Sequence, residues 1–180
     1  SFNTTSGIAT TVKALENKTN PSFCRVLIND AKGFSMINEG FRGMGIKKDA
    51  KYNLSLKAAN HNGAIKKIII QFIDKNKKVL GETSIVPTSN DWKGYTAQFT
   101  ATQTEAKAQL KITFEGNGTI DLDMISLFPE DTWMNRKNGM RKDIVQLLYD
   151  MKPGFLRFPG SCIVEGRTFA QRKKKKKTVG

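Results

Sequence analysis

Cysteine and histidine are almost missing from this chain. It has two cysteines, Cys24 and Cys162, and a single histidine, His61. So few thiols exclude a disulfide framework, and their spacing offers no tetrahedral zinc site. Long apolar runs are also absent. The longest is Ile68-Ile69-Ile70, continued past Gln71 to Phe72 and Ile73, which is far too short to cross a bilayer. Ser1 to Thr11 is polar and lacks a basic stretch followed by an apolar one, so no secretory leader is legible there. Acidic residues are in the minority, with 16 Asp and Glu against 30 Lys and Arg, giving a net charge of +14. Such a balance invites a nucleic-acid reading. That reading also needs exposed aromatics interleaved with the basic residues, and none are seen. Five of the lysines form one run, Lys173–Lys177. Others (Lys47-Lys48, Lys66-Lys67, Lys77-Lys78) fall at predicted strand ends and turns, where they read as solvated surface.

The pattern that is present is short strands with turn chemistry between them. From about Asn20 to Leu127 the chain reads as β. Ser22–Asn29 is apolar and β-branched up to a break at Asp30–Gly33, and "FRGMGIKK" follows as the next segment. In "YNLSLKAA", Tyr52, Leu54, Leu56 and Ala58 alternate with Asn53, Ser55 and Lys57. "HNG" is a turn, "AIKKIIIQFI" a strand, and "DKNKK" closes a hairpin onto "VLGETSIV". "YTAQFTATQ", "AQLKITFEG" and "TIDLDMISLF" complete the set. Regularly spaced strands of this kind predict an antiparallel sandwich. "IATTVKALEN", near the start, is open between strand and helix.

Near Pro129 the period changes. Asn138 is a candidate N-cap. Met140, Ile144, Leu147, Leu148 and Met151 make one apolar helical stripe, and Pro153-Gly154 stops it. "FLRF" then reads as a short strand ending in an Arg-Phe-Pro-Gly turn. A helix followed by a buried strand is the opening of an α/β repeat, and such a strand needs neighbours and covering helices. The chain is therefore expected to be a piece of a larger protein. The stripe is expected to pack on the β domain or on a second copy, which allows a homo-oligomer.

The run "SLFPEDTWMNRKNGMRKDIVQLLYDMKPGFLRFPGSCIVEG" resembles the start of the catalytic barrel in α-L-arabinofuranosidases of glycoside hydrolase family 51. The β region, through "GMGIKKDAKYNLSLKA", "DWKGYTAQFTA" and "LKITFEGNGTIDLDMISLFP", resembles carbohydrate-binding-module jelly rolls of families four and nine. Such a domain is inserted in many members of the arabinofuranosidase family. The resemblance implies a mainly β architecture. Residues 1–129 would form a galactose-binding-like jelly-roll sandwich. Residues 130–180 would be a helix and short strand from a truncated (β/α)₈ barrel. Two departures stand out: the family usually has Gly-Gly where this chain has Gly160-Ser161, and an aromatic-rich segment where it has "RKKKKK".

The family resemblance also sets the functional expectations. The parent would be a retaining hydrolase that releases terminal arabinofuranose from arabinan, arabinoxylan or arabino-oligosaccharides, working outside the cell or in the periplasm. Retention uses two carboxyl groups about 5 Å apart. The family places both glutamates on later barrel strands, so this chain would hold neither and would be inactive alone. Arg157, Gly160 and Cys162 would line the substrate subsite of the parent. On the sandwich, alternation marks a polar face of Arg42, Asn53, Ser55, Lys57, Gln71, Lys111, Thr113 and Glu115 as candidate sugar contacts. Tyr52, Phe72 and Phe114 share the apolar parity and belong to the core. Trp92 and Tyr95 sit at a loop–strand corner and read as structural. Asp121 and Asp123 share one face of a strand, and the resemblance implies a structural Ca²⁺ there, with Asp123 the better ligand and no other cofactor required. A stand-alone carbohydrate-binding module is the second reading and a basic nucleic-acid-binding domain the third. No membrane partner is expected.

Overall fold

A computed structural model describes residues 2–4, 6–14, 20–30 and 33–155. The chain divides into two compact units, residues 1–142 and 143–180. The first is an antiparallel jelly-roll sandwich. Its strands in chain order are β1 (Phe2–Thr4), β2 (Gly7–Lys13), β3 (Ser22–Ile28), β4 (Phe34–Asn38), β5 (Met44–Ile46), β6 (Lys51–Asn60), β7 (Ile65–Ile73), β8 (Val79–Ile85), β9 (Lys93–Thr100), β10 (Glu105–Gly116) and β11 (Gly118–Pro129). One sheet has the order β1-β2-β3-β11-β6-β9. The other has the order β4-β10-β7-β8, with β5 also paired to β10.

The alternation read from the sequence is the packing itself. On β6, Tyr52, Leu54, Leu56 and Ala58 are buried, while Asn53 and Lys57 face solvent. On β10, Leu110, Ile112 and Phe114 enter the core, and Ile68, Ile70 and Phe72 of β7 do the same from the neighbouring strand. Aromatic rings form its centre: Tyr52 and Phe72 meet edge to face at 5.1 Å, and Phe99 lies 5.0 Å from Phe72. Offset and edge-on pairs of this kind add to the burial of their area.

Turns follow from particular residues. Asp74 Oδ1 accepts from the amides of Asn76 (2.8 Å) and Lys78 (2.9 Å), closing the β7–β8 hairpin as an Asx turn. Between β10 and β11, Gly116 and Gly118 take φ of +121° and +145°. Only glycine does so without strain, and a Cβ at either would also collide with Ala64.

The structure corrects three sequence expectations. Phe34–Asn38 is a strand that the sequence did not reveal, whereas Phe41–Gly43 of "FRGMGIKK" is a turn. Arg42 (φ +65°) and Gly43 (φ +93°) reverse the chain there, leaving only Met44–Ile46 extended. Asn138 is not an N-cap: it lies in a turn at φ +55°, and the helix begins at Lys142. Met140 precedes that helix, and its carbonyl accepts from the Trp133 amide. Of the open segment near the start, Ile8 to Lys13 belongs to the strand β2, and residues 15–17 lie outside the described residues.

In the second unit the described element is α1 (Lys142–Met151). Asp143 in its first turn suits the positive end of the helix dipole. Gln146 Nε2 donates to Asp150 Oδ1 one turn on (2.6 Å). Pro153 cannot continue the helix. The expected strand "FLRF" beyond Phe155, with Arg157, Gly160, Cys162 and the Lys173–Lys177 run, lies outside the described residues. No helix among the described residues is long and apolar enough to cross a membrane.

Candidate functional site

The sugar-contact candidates do not form one surface. Asn53 and Lys57 lie on β6, on the outer face of the six-stranded sheet. Gln71, Thr113 and Glu115 lie on β7 and β10, on the outer face of the other sheet. Arg42 belongs to neither: it sits in the β4–β5 turn with its guanidinium 5.4 Å from the Phe41 ring.

On the outer face of the β4-β10-β7-β8 sheet, two of the candidates already have partners. Gln71 Nε2 donates to Glu82 (2.5 Å), and Thr113 shares a hydrogen bond with Ser35 (2.9 Å). Glu115 stands opposite Lys67 in the register of β10 and β7. The aromatic residues of these strands, Phe34, Phe72 and Phe114, all point into the core.

The outer face of the six-stranded sheet is built differently. Strand parity puts Phe23 and Arg25 of β3 and Asp121 of β11 on this side, opposite the core-facing Val26 and Leu122. Register sets Arg25 beside Asp121, and Asp121 beside Ala59 of β6. Arg25 grips Asp121 with two bonds, Nε to Oδ1 (2.7 Å) and Nη2 to Oδ2 (2.8 Å). His61, in the turn after β6, reaches the same Oδ2 at 2.8 Å. The Asp121 side chain is 5% exposed, against 37% for Arg25 and 40% for His61. Burial pushes the Asp121 carboxyl up, but hydrogen bonds from Arg25 and His61 together with their charge outweigh it, so its pKa lies below the ordinary value. An ionised carboxylate only accepts, so His61 Nε2 carries the proton of that bond. The same contacts hold the Arg25 pKa up, led by its hydrogen bond to Asp121.

Phe23 continues this array. The Arg25 guanidinium lies 5.5 Å from its ring, and Trp92 meets it edge to face at 5.5 Å. Trp92 lies in the loop just before β9, whereas Phe23 is on β3, three places away in the sheet order. Asn60 and Tyr95 hold the loop that carries Trp92. The buried Asn60 amide donates to the carbonyls of Ile65 (2.9 Å) and Pro87 (2.7 Å) and accepts from the Ile65 amide (3.0 Å). Asn90 Oδ1 accepts from the Asn62 amide (2.8 Å). Tyr95 Oη accepts from the amides of Thr88 (3.0 Å) and Ser89 (3.2 Å). The His61 turn and the Trp92 loop are thus tied together. Tyr95→Phe removes one acceptor shared by two amides and should cost about 1 kcal/mol in urea unfolding, while the core stays intact.

The two aspartates do not suit calcium. Asp121 already holds a guanidinium and an imidazole N–H. Asp123 accepts from Asn20 Nδ2 (2.6 Å) and from the Met124 amide (2.7 Å), where it shapes the bulge at Met124. Among the described residues no group of three or more His, Cys, Asp or Glu could hold a metal. Oxygen-rich shells of six to eight ligands are what calcium requires.

A second feature is a cleft of about 1040 Å³ between the layers, floored by Tyr52, Phe72, Leu110 and Ile112 and edged by Met36 and Met44.

No protein-family model matches the sequence. Curated relatives do. Over 133 residues the chain is 35% identical to an extracellular exo-α-L-arabinofuranosidase of Streptomyces chartreusis, a match covering 73% of this chain and 16% of that protein. Over 151 residues it is 31% identical to α-L-arabinofuranosidase 1 of Arabidopsis thaliana, covering 82% and 22%. An arabinose-bound α-L-arabinofuranosidase of glycoside hydrolase family 51 superposes with a TM-score of 0.79 at 26% identity, over 98% of this chain and 30% of that structure. The chain is a relative of the family 51 α-L-arabinofuranosidases. It spans about a fifth of the length of these curated relatives, and the arabinofuranosidase relationship covers the sandwich as well as α1. Sequence reasoning passed over Arg25 and read Trp92 and His61 as ordinary loop residues. The available signal was the parity of β3 and β11, which sets Phe23, Arg25 and Asp121 on the polar side of their strands.

Proposed function

We propose that the chain is the accessory, carbohydrate-binding portion of a secreted retaining α-L-arabinofuranosidase acting on arabinan, arabinoxylan or arabino-oligosaccharides, and that it does not hydrolyse them by itself. The observation that carries this reading is the asymmetry of the alignments. They cover most of this chain but only 16% and 22% of two arabinofuranosidases, which leaves most of the relatives' substance to other segments. Supporting it, the deeply buried carboxylate of the sandwich is tuned the wrong way for acid catalysis. A general acid in a glycosidase needs a raised pKa, and that of Asp121 is lowered.

Two measurements test it. The 180-residue chain, incubated with an aryl α-L-arabinofuranoside, should release no phenol above the buffer rate. Turnover would overturn the non-catalytic part of the proposal. In native gels cast with soluble arabinoxylan or arabinan, the same chain should migrate more slowly than in plain gels. Unchanged migration would overturn the sugar-binding part.

A further inference from the structure

We propose that the sugar-contacting surface is the Trp92–Phe23–Arg25–His61 array on the outer face of the six-stranded sheet, and that it takes neutral, hydroxyl-rich glycan rings. The inference rests on the carbohydrate-binding reading above and names both the surface and the class of glycan. Its first ground is an exposed ring. Tyr52, Phe72, Phe99 and Phe114 are all buried, whereas Trp92 is 46% exposed and held against Phe23. A flat indole beside polar groups suits the two characters of a sugar, the apolar C–H face and the ring of hydroxyls. Its second ground is preorganisation. Asn60, Asn90 and Tyr95 fix the Trp92 loop against the His61 turn, so binding need not order that loop, and the entropic cost of association falls.

The third ground is charge. Arg25 and His61 both sit on the single carboxylate of Asp121. The guanidinium is neutralised where it stands, so an anionic ligand would have to compete with a carboxylate already in place. Half-exposed N–H groups with compensated charge favour neutral acceptors such as hydroxyls. On the opposite sheet Phe34, Phe72 and Phe114 point into the core, and Gln71 and Thr113 are already bonded to Glu82 and Ser35.

The experiment is affinity electrophoresis of the 180-residue chain in gels containing arabinoxylan, arabinan, polygalacturonate or no polysaccharide. The expected result is retardation by the neutral glycans, weakened about tenfold or more by Trp92→Ala, as for a central tryptophan anchor. His61→Gln should weaken it less, and Ser84→Ala, on the other sheet, should leave it unchanged. Thermal unfolding checks that each variant is folded. A folded Trp92→Ala retarded like the parent chain would overturn the proposed surface and leave the sugar-binding reading standing. Loss of retardation in Gln71→Ala with Trp92→Ala unaffected would do the same. Stronger retardation by polygalacturonate than by the neutral glycans would overturn the neutral class; Lys57, on the same face and opposite Asp123 in the register of β6 and β11, makes that comparison a real one. No retardation of the parent chain by any glycan would overturn the underlying reading. Should Trp92→Ala not fold, fluorescence replaces it. The chain has two tryptophans, so Trp133→Phe leaves Trp92 as the reporter. Its emission should change on titration with an arabino-oligosaccharide, and a flat titration would overturn the surface.

Discussion

Phe72→Ala should cost about 3–4 kcal/mol of stability, seen in urea unfolding as a lower midpoint at an unchanged slope. Phe72 is fully buried and touches both other rings of the aromatic centre, Tyr52 at 5.1 Å and Phe99 at 5.0 Å. Truncation removes the transfer energy of the ring, two aromatic contacts and the packing on every side. General experience for buried phenylalanine is about 3–5 kcal/mol. The interlayer cleft argues for the lower half of that range. Phe72 forms part of its floor, and the unbranched Met36 and Met44 at its edge are flexible enough to move into part of the void. Against a typical domain stability of about 5–15 kcal/mol, the loss is large. The contrast is Phe41, which is 89% exposed in the β4–β5 turn. Phe41→Ala should change stability by no more than about 0.5 kcal/mol. Equal losses at the two positions would contradict the placement of the core.

The difference between these phenylalanines was only half legible in the sequence. Phe72 and Phe114 fall in strands with one buried face, where alternation or a β-branched run announces the core, and β6, β7 and β10 emerge for that reason. Phe41 sits in a segment whose apolar residues looked like a strand. Two consecutive positive φ values, at Arg42 and Gly43, break it, and arginine carries no signal for that conformation. β2 was ambiguous for a different reason. Its buried positions are the small Gly7 and Ala9, while the larger Ile8 and Val12 are only half-buried, so hydrophobicity does not follow burial. The candidate site was the least legible part. Asp121 finds Arg25 across 96 residues and His61 across 60. Those distances close only when β11 takes its place between β3 and β6. A single sequence gives the parity of each strand but not the neighbour it chooses. The same limit explains why one predicted polar face became two: parity cannot tell which sheet a strand joins.

The pairing that the sequence could not supply is also where the second large effect is expected. Asp121→Ala should destabilise the sandwich by about 3 kcal/mol near neutral pH. Removing one partner of a buried pair costs about 3–5 kcal/mol when the other charge is left buried. Here Arg25 is 37% exposed and can turn toward water, which places the cost at the lower end. Arg25→Ala should cost less than Asp121→Ala, because His61 still donates to the carboxylate that remains. The pH dependence has a definite sign. Burial raises the Asp121 pKa, the bonds from Arg25 and His61 lower it by more, and the folded value ends below the unfolded one. The group therefore adds stability above its unfolded pKa of about 3.9, and that increment is lost as the pH falls through the folded value. The parent chain should lose stability steeply below about pH 4, and Asp121→Ala should follow a shallower acid limb, so that the gap between them narrows. Parallel acid limbs in urea titrations would show that Asp121 is not held ionised by Arg25 and His61, and the compensated-charge argument for the Trp92 surface would fail with it.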